Sequence, residues 1–329
     1  MLRFLLRRLM WFGLTLFVVM GISFALMHSV KGGPFDQERK LDPVIERNIR
    51  QKYNLDAPLV VQFLDYTGPL NMGPDGWFGE GEGKGSRPFG GVCCGDFGPS
   101  FRYRDFTVNH ILAQSLPISM LLGLVAMMWA LVLGISTGIA SALWRGTRID
   151  LALRVAATAG IALPNFVIAG FLIILFVFLI PLFPVAGWGT VHHMLLPGFC
   201  LGLVYAAYIS RLTRTGMLEA LSENHIRTAH AKGLAPSTVV MRHALKGGLL
   251  PVLSYLGPAS AGILTGSLVI ERIFGIPGMG SHFINSATNR DYTLAMGVTI
   301  VYTVLVCTFN TIVDLAYVLL DPRISLEDS

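Results

Sequence analysis

The stretches that carry no charge decide what this chain can fold into. Leu9–Val30, Phe106–Trp144, Val155–Ser210, Gly247–Ile270 and Tyr292–Val313 hold no Asp, Glu, Lys or Arg over 22, 39, 56, 24 and 22 residues. A helix needs roughly 20 mainly apolar residues to cross a bilayer core, so each run is long enough to span. The 56-residue run is too long for one helix, and Pro181–His193, with two prolines and two glycines, divides it into two. The expected fold class is therefore an all-α membrane protein with six transmembrane helices. Composition agrees: 14% of the 329 residues are charged, against roughly 25% in soluble domains, which argues against a soluble globular enzyme.

Orientation follows from the basic residues of the short loops. Six spans with the N-terminus inside place Arg3, Arg7, Arg8, Arg145, Arg148, Arg154, Arg211, Arg214, Arg227, Lys232, Arg242, Lys246 and Arg323 on the cytoplasmic side. The short outer connections hold Arg272 and Arg290 alone, so the expectation is N-in, C-in. The first span opens on the basic RFLLRR but ends in MHSVKGG without a small-residue cleavage site, and is read as a retained helix. The net charge of +5 is the topology signal itself, and no nucleic-acid-binding module is visible.

The charges concentrate between the first two spans, where 21 of all 45 fall within Lys31–Asp105. Apolar residues at Val44, Ile45, Ile49 and Tyr53 have helical spacing, and a second short helix fits Leu59–Tyr66. Gly68–Phe101 holds 11 glycines in 34 residues and reads as irregular. Within it GEGEGKGS (Gly79–Ser86) fails the phosphate-loop pattern at Phe78 and at Gly85. Cys93 and Cys94 are adjacent in this outer loop, where a vicinal disulfide, a bridge to another subunit and two free thiols all stay open. Cys200 and Cys307 fall in spans and read as small apolar packing residues.

Metal and redox motifs are missing: no HExxH or CxxC occurs, and the histidines pair with no carboxylate at a useful spacing. His192–His193 falls in an outer turn, and His225, His230 and His243 in one basic inner loop. Glu271 and Arg272, at the outer end of the fifth span, read as interface anchors. Asp314 is a carboxylate inside the last apolar segment, with Asn310 one turn before it. It either approaches the inner interface or lines and relays along a path. Gly134/Gly138, Gly198/Gly202 and Gly262/Gly266 are each four apart, which suits close helix contact, while Pro164, Pro251 and Pro258 interrupt helical hydrogen bonding.

The connection between spans four and five is the informative one. Arg211–Lys246 is 36 residues long, where a minimal bundle needs only a few. LEALSENHIRTAHAKGL has helical spacing at Leu218, Leu221, His225 and Ala229 and a stop at Gly233, so a short helix, a tight turn and a second helix are expected. A short helix lying along the membrane can act as a knob for a partner's groove.

In these residues the chain resembles the inner-membrane permease subunits of binding-protein-dependent ABC importers, in particular B-type permeases of the oligopeptide/dipeptide branch. The resemblance is carried by LRFLLRR with GGPFDQER, by GDFGPSFRYRDFTVNHI (Gly95–Ile111), by IRTAHAKGLAPSTVVMRHALKGGLLPVLSYLGPA (Ile226–Ala259), and by GSLVIERIFGIPGMG with NRDYTLAMG and DLAYVLLDPRIS. It covers nearly the whole chain; the stretch around Asn71–Val92 looks like an insertion. It implies the type I ABC importer permease fold, with an N-terminal helix over residues 1–30, a periplasmic loop over 31–105, a five-helix permease core over 106–320 that includes the coupling loop 211–246, and a cytoplasmic tail over 321–329.

The same resemblance implies a multi-pass bacterial inner-membrane protein without catalysis of its own. Its partners would be a second homologous permease, two ABC ATPases, an extracytoplasmic peptide-binding protein and the lipid bilayer. ATP and Mg would be bound by the ATPases, with no cofactor, metal or nucleic acid in this chain. ATPase coupling is implied for Glu219, Arg227, Thr228, Ala229, His230, Ala231, Lys232 and Gly233, and a place in the path or gate is open to Asp314, Asn310 and Pro258. Two departures mark the branch: Arg227 stands where the wider importer motif has Glu, and Gly233 lies 18 positions before Pro251; His230, in place of a more common Arg, would weaken one polar contact.

Overall fold

A computed structural model describes residues 2–29, 57–68, 91–103, 106–264 and 267–320, with side chains left undescribed at several positions including Asp314. The expected helix around Val44–Tyr53, the stretch 71–90 and the tail from 321 lie outside the described residues. All regular structure among the described residues is helical: α1 (Leu2–Ser29), α2 (Leu59–Thr67), α3 (Val108–Leu143), α4 (Arg148–Ala162) and α5 (Asn165–Ile173), which runs on as a π-helical turn Ile174–Leu179. Then follow α6 (Val191–Ser222), α7 (Asn224–Ala231), α8 (Pro236–Thr238) with a π-helical turn Val239–Ala244, α9 (Leu245–Gly248), α10 (Leu250–Leu264), α11 (Leu268–Ile273), α12 (Met279–Thr288) and α13 (Tyr292–Leu320).

Five stretches are long and apolar enough to cross a membrane: Leu6–Ser29, Val108–Leu143, Val191–Ser222, Leu250–Ile273 and Tyr292–Ile312. A sixth exists only if α4 and α5 with its π-helical turn count as one span, because they meet at 109°. The cause is local. Pro164 donates no hydrogen bond and pushes Leu163 into an extended conformation (φ −85°, ψ 131°), which ends α4. The uncharged run therefore breaks twice, at Pro164 as well as near Pro181. Helix α6 begins at Val191, so His192 and His193 occupy its first turn rather than the preceding irregular stretch, and the Thr190 hydroxyl lies 2.6 Å from His193 Nδ1.

The chain divides into two compact units, one comprising Ile118–Gly280 and the stretch from Leu305, the other Leu2–Pro117 and Ser281–Val304. In the first, α3 and α6 touch backbone to backbone. A Cβ added at Gly202 of α6 would lie 2.4 Å from the Ala126 carbonyl oxygen, and one at Gly138 of α3 would lie 2.6 Å from the Ser210 carbonyl oxygen. Gly134 and Gly198 are equally close to Ile209 and Val125. Both four-residue glycine spacings thus belong to one crossing, each notching its own helix to admit the other. Leu122, Ala126, Cys200, Leu201, Ile263, Ile270 and Phe274 form the main apolar core around it.

Glu271 corrects an expectation. It is fully buried rather than at an interface, and its carboxylate accepts from the Ser119 hydroxyl (2.8 Å) and from the Gly280 backbone N–H (2.8 Å). Arg272, beside it, is exposed.

In the second unit the extended stretch 95–107 is held by a helix start. Asp291, 1% exposed, accepts from the Ser100 hydroxyl, from the Phe101 N–H at 3.2 Å and from the Leu294 N–H at 3.2 Å. It thereby caps α13 and pins the chain that leads into α3. Asn109 adds a second tie, accepting from the Phe97 N–H at 2.8 Å. Met20, Tyr66, Met296 and Ile300 form an apolar core of this unit, and Phe97 packs against it. Cys93 and Cys94 are unpaired and exposed in a 3-10 turn. Partial burial and the adjacent Cys94 push the Cys93 thiol upward, away from the reactive thiolate.

The α3–α6 crossing predicts that Gly202→Ala lowers the melting temperature of the detergent-purified protein by several degrees, at a cost of about 1–3 kcal/mol for an overpacked contact. Gly13→Ala, in α1 with nothing within 4 Å, is the matched control and should melt like the parent.

Candidate functional site

The 211–246 connection folds as a short helix seated on a small core of its own. Helix α6 stops at Ser222 because Glu223 turns extended (φ −71°, ψ 153°), and α7 restarts at Asn224. Leu218 and Leu221 therefore lie on a different helix from His225 and Ala229, and the single helical face expected from their spacing does not form. The face that α7 buries is Ile226 and Ala229, at 2% and 5% exposure. They close over Ala142, Met217, Ala220, Val239 and Ala244 from α3, α6 and the π-helical turn. Ile226 was the anchor that the spacing argument passed over; it is separated by three from Ala229, the signal of one helical face.

The end of α7 is a Schellman turn. Gly233 has φ +74°, its N–H bonds to the His230 carbonyl at 2.9 Å, and the Leu234 N–H reaches back to the Ala229 carbonyl at 3.3 Å. Pro236 then supplies the first residue of the next helix, where its missing donor costs nothing. That helix descends through Val239–Ala244 to α9, where Gly216 and Gly248 bring α6 and α9 together: a Cβ on Gly216 would lie 2.3 Å from the Gly248 carbonyl oxygen.

Of the residues singled out from the sequence, Arg227, Thr228, His230, Ala231, Lys232 and Gly233 are all exposed on α7 and its turn. Glu219 is exposed too, but on the last turns of α6. Ala229 points inward and takes part in packing. The exposed surface from 219 to 246 carries Arg227, Lys232, Arg242 and Lys246 against Glu219 and Glu223, so it is net basic. His225 is 2.9 Å from Glu223 in an exposed pair. Pro258 is exposed on α10, and Asn310 is half-buried on α13; Asp314 also lies on α13, its side chain outside the described residues.

A buried ionic group below this loop was not foreseen. Asp150, on the first turn of α4 and 1% exposed, accepts from Arg214 of α6 through Nε (2.9 Å) and Nη2 (3.0 Å). The Ser141 hydroxyl of α3 donates at 2.6 Å and the Gly146 N–H at 3.0 Å, while Arg154 lies farther off at 3.4 Å. By sequence, Arg148, Arg154 and Arg214 registered only as topology charges. The one local cue was Thr147 with Asp150 three residues later, an N-terminal capping pattern in which the Asp150 N–H donates to Thr147 Oγ1 at 3.4 Å.

Similarity to known proteins extends over nearly the whole chain. The family model described as "Binding-protein-dependent transport system inner membrane component" matches residues 130–326. The oligopeptide transport system permease protein OppB of Escherichia coli (strain K12) is 43% identical over 326 residues, covering 98% of this chain and 99% of that relative. The dipeptide transport system permease protein DppB of Bacillus subtilis (strain 168) is 39% identical over 326 residues, covering 99% of each. Among solved structures, inward facing conformations of the MetNI methionine ABC transporter match with a TM-score of 0.50 at 16% identity, over 64% of this chain and 96% of that chain. That likeness bears on the fold alone.

The Schellman turn predicts a graded response at Gly233. A side chain there meets no atom within 4 Å, so the cost is purely that of positive φ, about 1–2 kcal/mol. Gly233→Val should speed amide hydrogen exchange over 224–234, and Gly233→Asn, which tolerates this conformation, should do so less.

Proposed function

This chain belongs to the family of binding-protein-dependent transport system inner membrane components, and from that premise we propose that it imports peptides as one half of a translocation path. It is a multi-pass permease subunit of an ATP-driven importer, a transport component that works with the other ABC components, the ATPases and the binding protein. In the reading proposed here it pairs with a second, homologous permease, and two cytoplasmic ATPases bind and hydrolyse ATP with Mg. The binding protein delivers peptides from outside, and the chain itself holds no cofactor. Six spans, N-in and C-in, with the long loop 31–105 outside, complete the arrangement. The oligopeptide cargo follows the printed activity of the relatives at 43% identity; a dipeptide or another small solute remains the alternative cargo.

The observation that carries the coupling assignment is the exposed basic face of α7 above an independent apolar seat. Arg227, Thr228, His230, Ala231 and Lys232 face outward while Ile226 and Ala229 anchor the helix, a shape suited to a cleft on an ATPase. Glu219 at the base of α6 borders that face, and Gly233 sets the direction in which the chain leaves it. ATP-driven closure of the two ATPases would move α7 and bias the bundle between two states. Pro258, Asn310 and Asp314 are assigned by this reading to the path or its gate, since a proline in mid-helix and polar side chains within apolar helices suit a bending, wetted segment.

The test is to tag the chain in its native cell, extract it in mild detergent and identify what co-purifies. A homologous permease with ABC ATPases is the expected result; the chain recovered alone across several detergents would overturn the reading and favour a stand-alone secondary carrier. Replacing Arg227 and Lys232 together by Glu should strip the ATPases from the complex at unchanged membrane abundance, because both side chains are exposed and neither supports the fold.

A further inference from the structure

A buried carboxylate and a half-buried guanidinium meet where the sequence promised only surface charge, and their geometry has a mechanical meaning. The Arg214 fork grips Asp150 through two nearly equal bonds of 2.9 and 3.0 Å, a planar arrangement that fixes both distance and orientation. Removing such charges from water is costly, and apolar side chains of the same volume would hold two helices as well or better. What apolar contacts do not supply is register. Farther along the α4–α6 contact, Gly160 faces Ala207, with a Cβ on Gly160 coming 3.2 Å from that of Ala207; two such small residues present no knob to resist sliding. A slip of one residue, about 1.5 Å along the helix, would break both bonds of the fork.

The fork lies on a continuous rod. Helix α6 runs unbroken from Arg214 to Ser222, about 12 Å, and α7 follows after the single extended residue Glu223. On the other side, Asp150 stands on the first turn of α4, which leads through the Pro164 bend into α5. The Ser141 hydroxyl and the Gly146 N–H hold the same carboxylate to the end of α3.

We propose that Asp150 and Arg214 form a clasp that delivers movement of α7 to the bent α4–α5 pair, acting as positioning residues for the transport cycle rather than as an element of stability. This rests on the reading of α7 as the ATPase-docking helix. The clasp makes α4 follow α6 in register; without it α6 moves and α4–α5 stays behind.

The experiment uses the whole complex co-purified with the tagged chain and reconstituted in nanodiscs. ATP hydrolysis is measured alone and with the purified binding protein preloaded with a tryptic casein digest. The paired variant Asp150→Leu with Arg214→Met replaces the ions by apolar groups, Arg214→Lys keeps the charge without the fork, and Arg154→Ala removes only the 3.4 Å contact. The paired variant should retain its ATPases, melting temperature and basal hydrolysis, yet lose stimulation by the loaded binding protein about tenfold; Arg214→Lys should lose it about threefold and Arg154→Ala hardly at all. Full stimulation in the paired variant would overturn the clasp, and so would a fall in abundance, melting temperature and stimulation together, which would make the pair an ordinary part of the fold. A parent complex without ATPases, or unmoved by its binding protein, would instead sink the importer reading beneath it.

Discussion

The contact between the α3 and α6 backbones is the constraint on which the first unit depends. In lipid, helices gain nothing from excluding water, so their association rests on close packing, and here four glycines remove the side chains that would hold the axes apart. Gly138 comes against the Ser210 carbonyl and Gly202 against the Ala126 carbonyl, so the two notches fix the crossing from both sides. Once that crossing is set, Thr213 and Arg214 are delivered to the end of α3 and to α4, and Gly216 to α9. The seat of α7 is then assembled from α3, α6 and the π-helical turn.

Where the backbone leaves the helical ladder, a buried carboxylate takes over its donors. Asp150 serves the Gly146 N–H between α3 and α4, Glu271 serves the Gly280 N–H after α11, and Asp291 serves the Phe101 and Leu294 N–H groups. In apolar surroundings an unmet backbone donor costs several kcal/mol, and a carboxylate accepts several at once. Each also accepts from a serine hydroxyl distant in the chain or nine residues away. Glu271 and Asp291 are therefore structural ties with their charge spent inside the protein, whereas Gly146 is exposed, so water can take over its N–H when Asp150 is replaced.

Function is layered on that scaffold in the same terms. Helix α7 is short, basic outward and apolar inward, and its core is distinct from the main one around Leu122 and Phe274. In the proposed reading α7 moves as a body on that seat, and the rod of α6 gives its displacement a route. The family membership established by sequence accords with this arrangement, and the resemblance passages acquire physical roles: RTAHAKG is the exposed helix and turn, while GDFGPSFRYRDFTVNHI and NRDY meet through Asp291.

The sequence by itself determined the class of the molecule. Uncharged runs fix helices of spanning length because the bilayer offers no partner to an open backbone, and the short helix at Leu59 and the turn at Gly233 are local matters of spacing and of φ. The glycine pairs were visible too, but which helix each would meet was not, since GxxxG encodes closeness and not a partner. Only the tertiary structure decided that Glu271 is buried rather than at an interface, that Ala229 packs while Arg227 faces out, and that Asp150 and Arg214, 64 positions apart, share one fork. A charge in sequence has no depth. Whether it lies in solvent or against a buried counter-charge depends on which helices cross, and that is settled by packing between segments far apart in the chain.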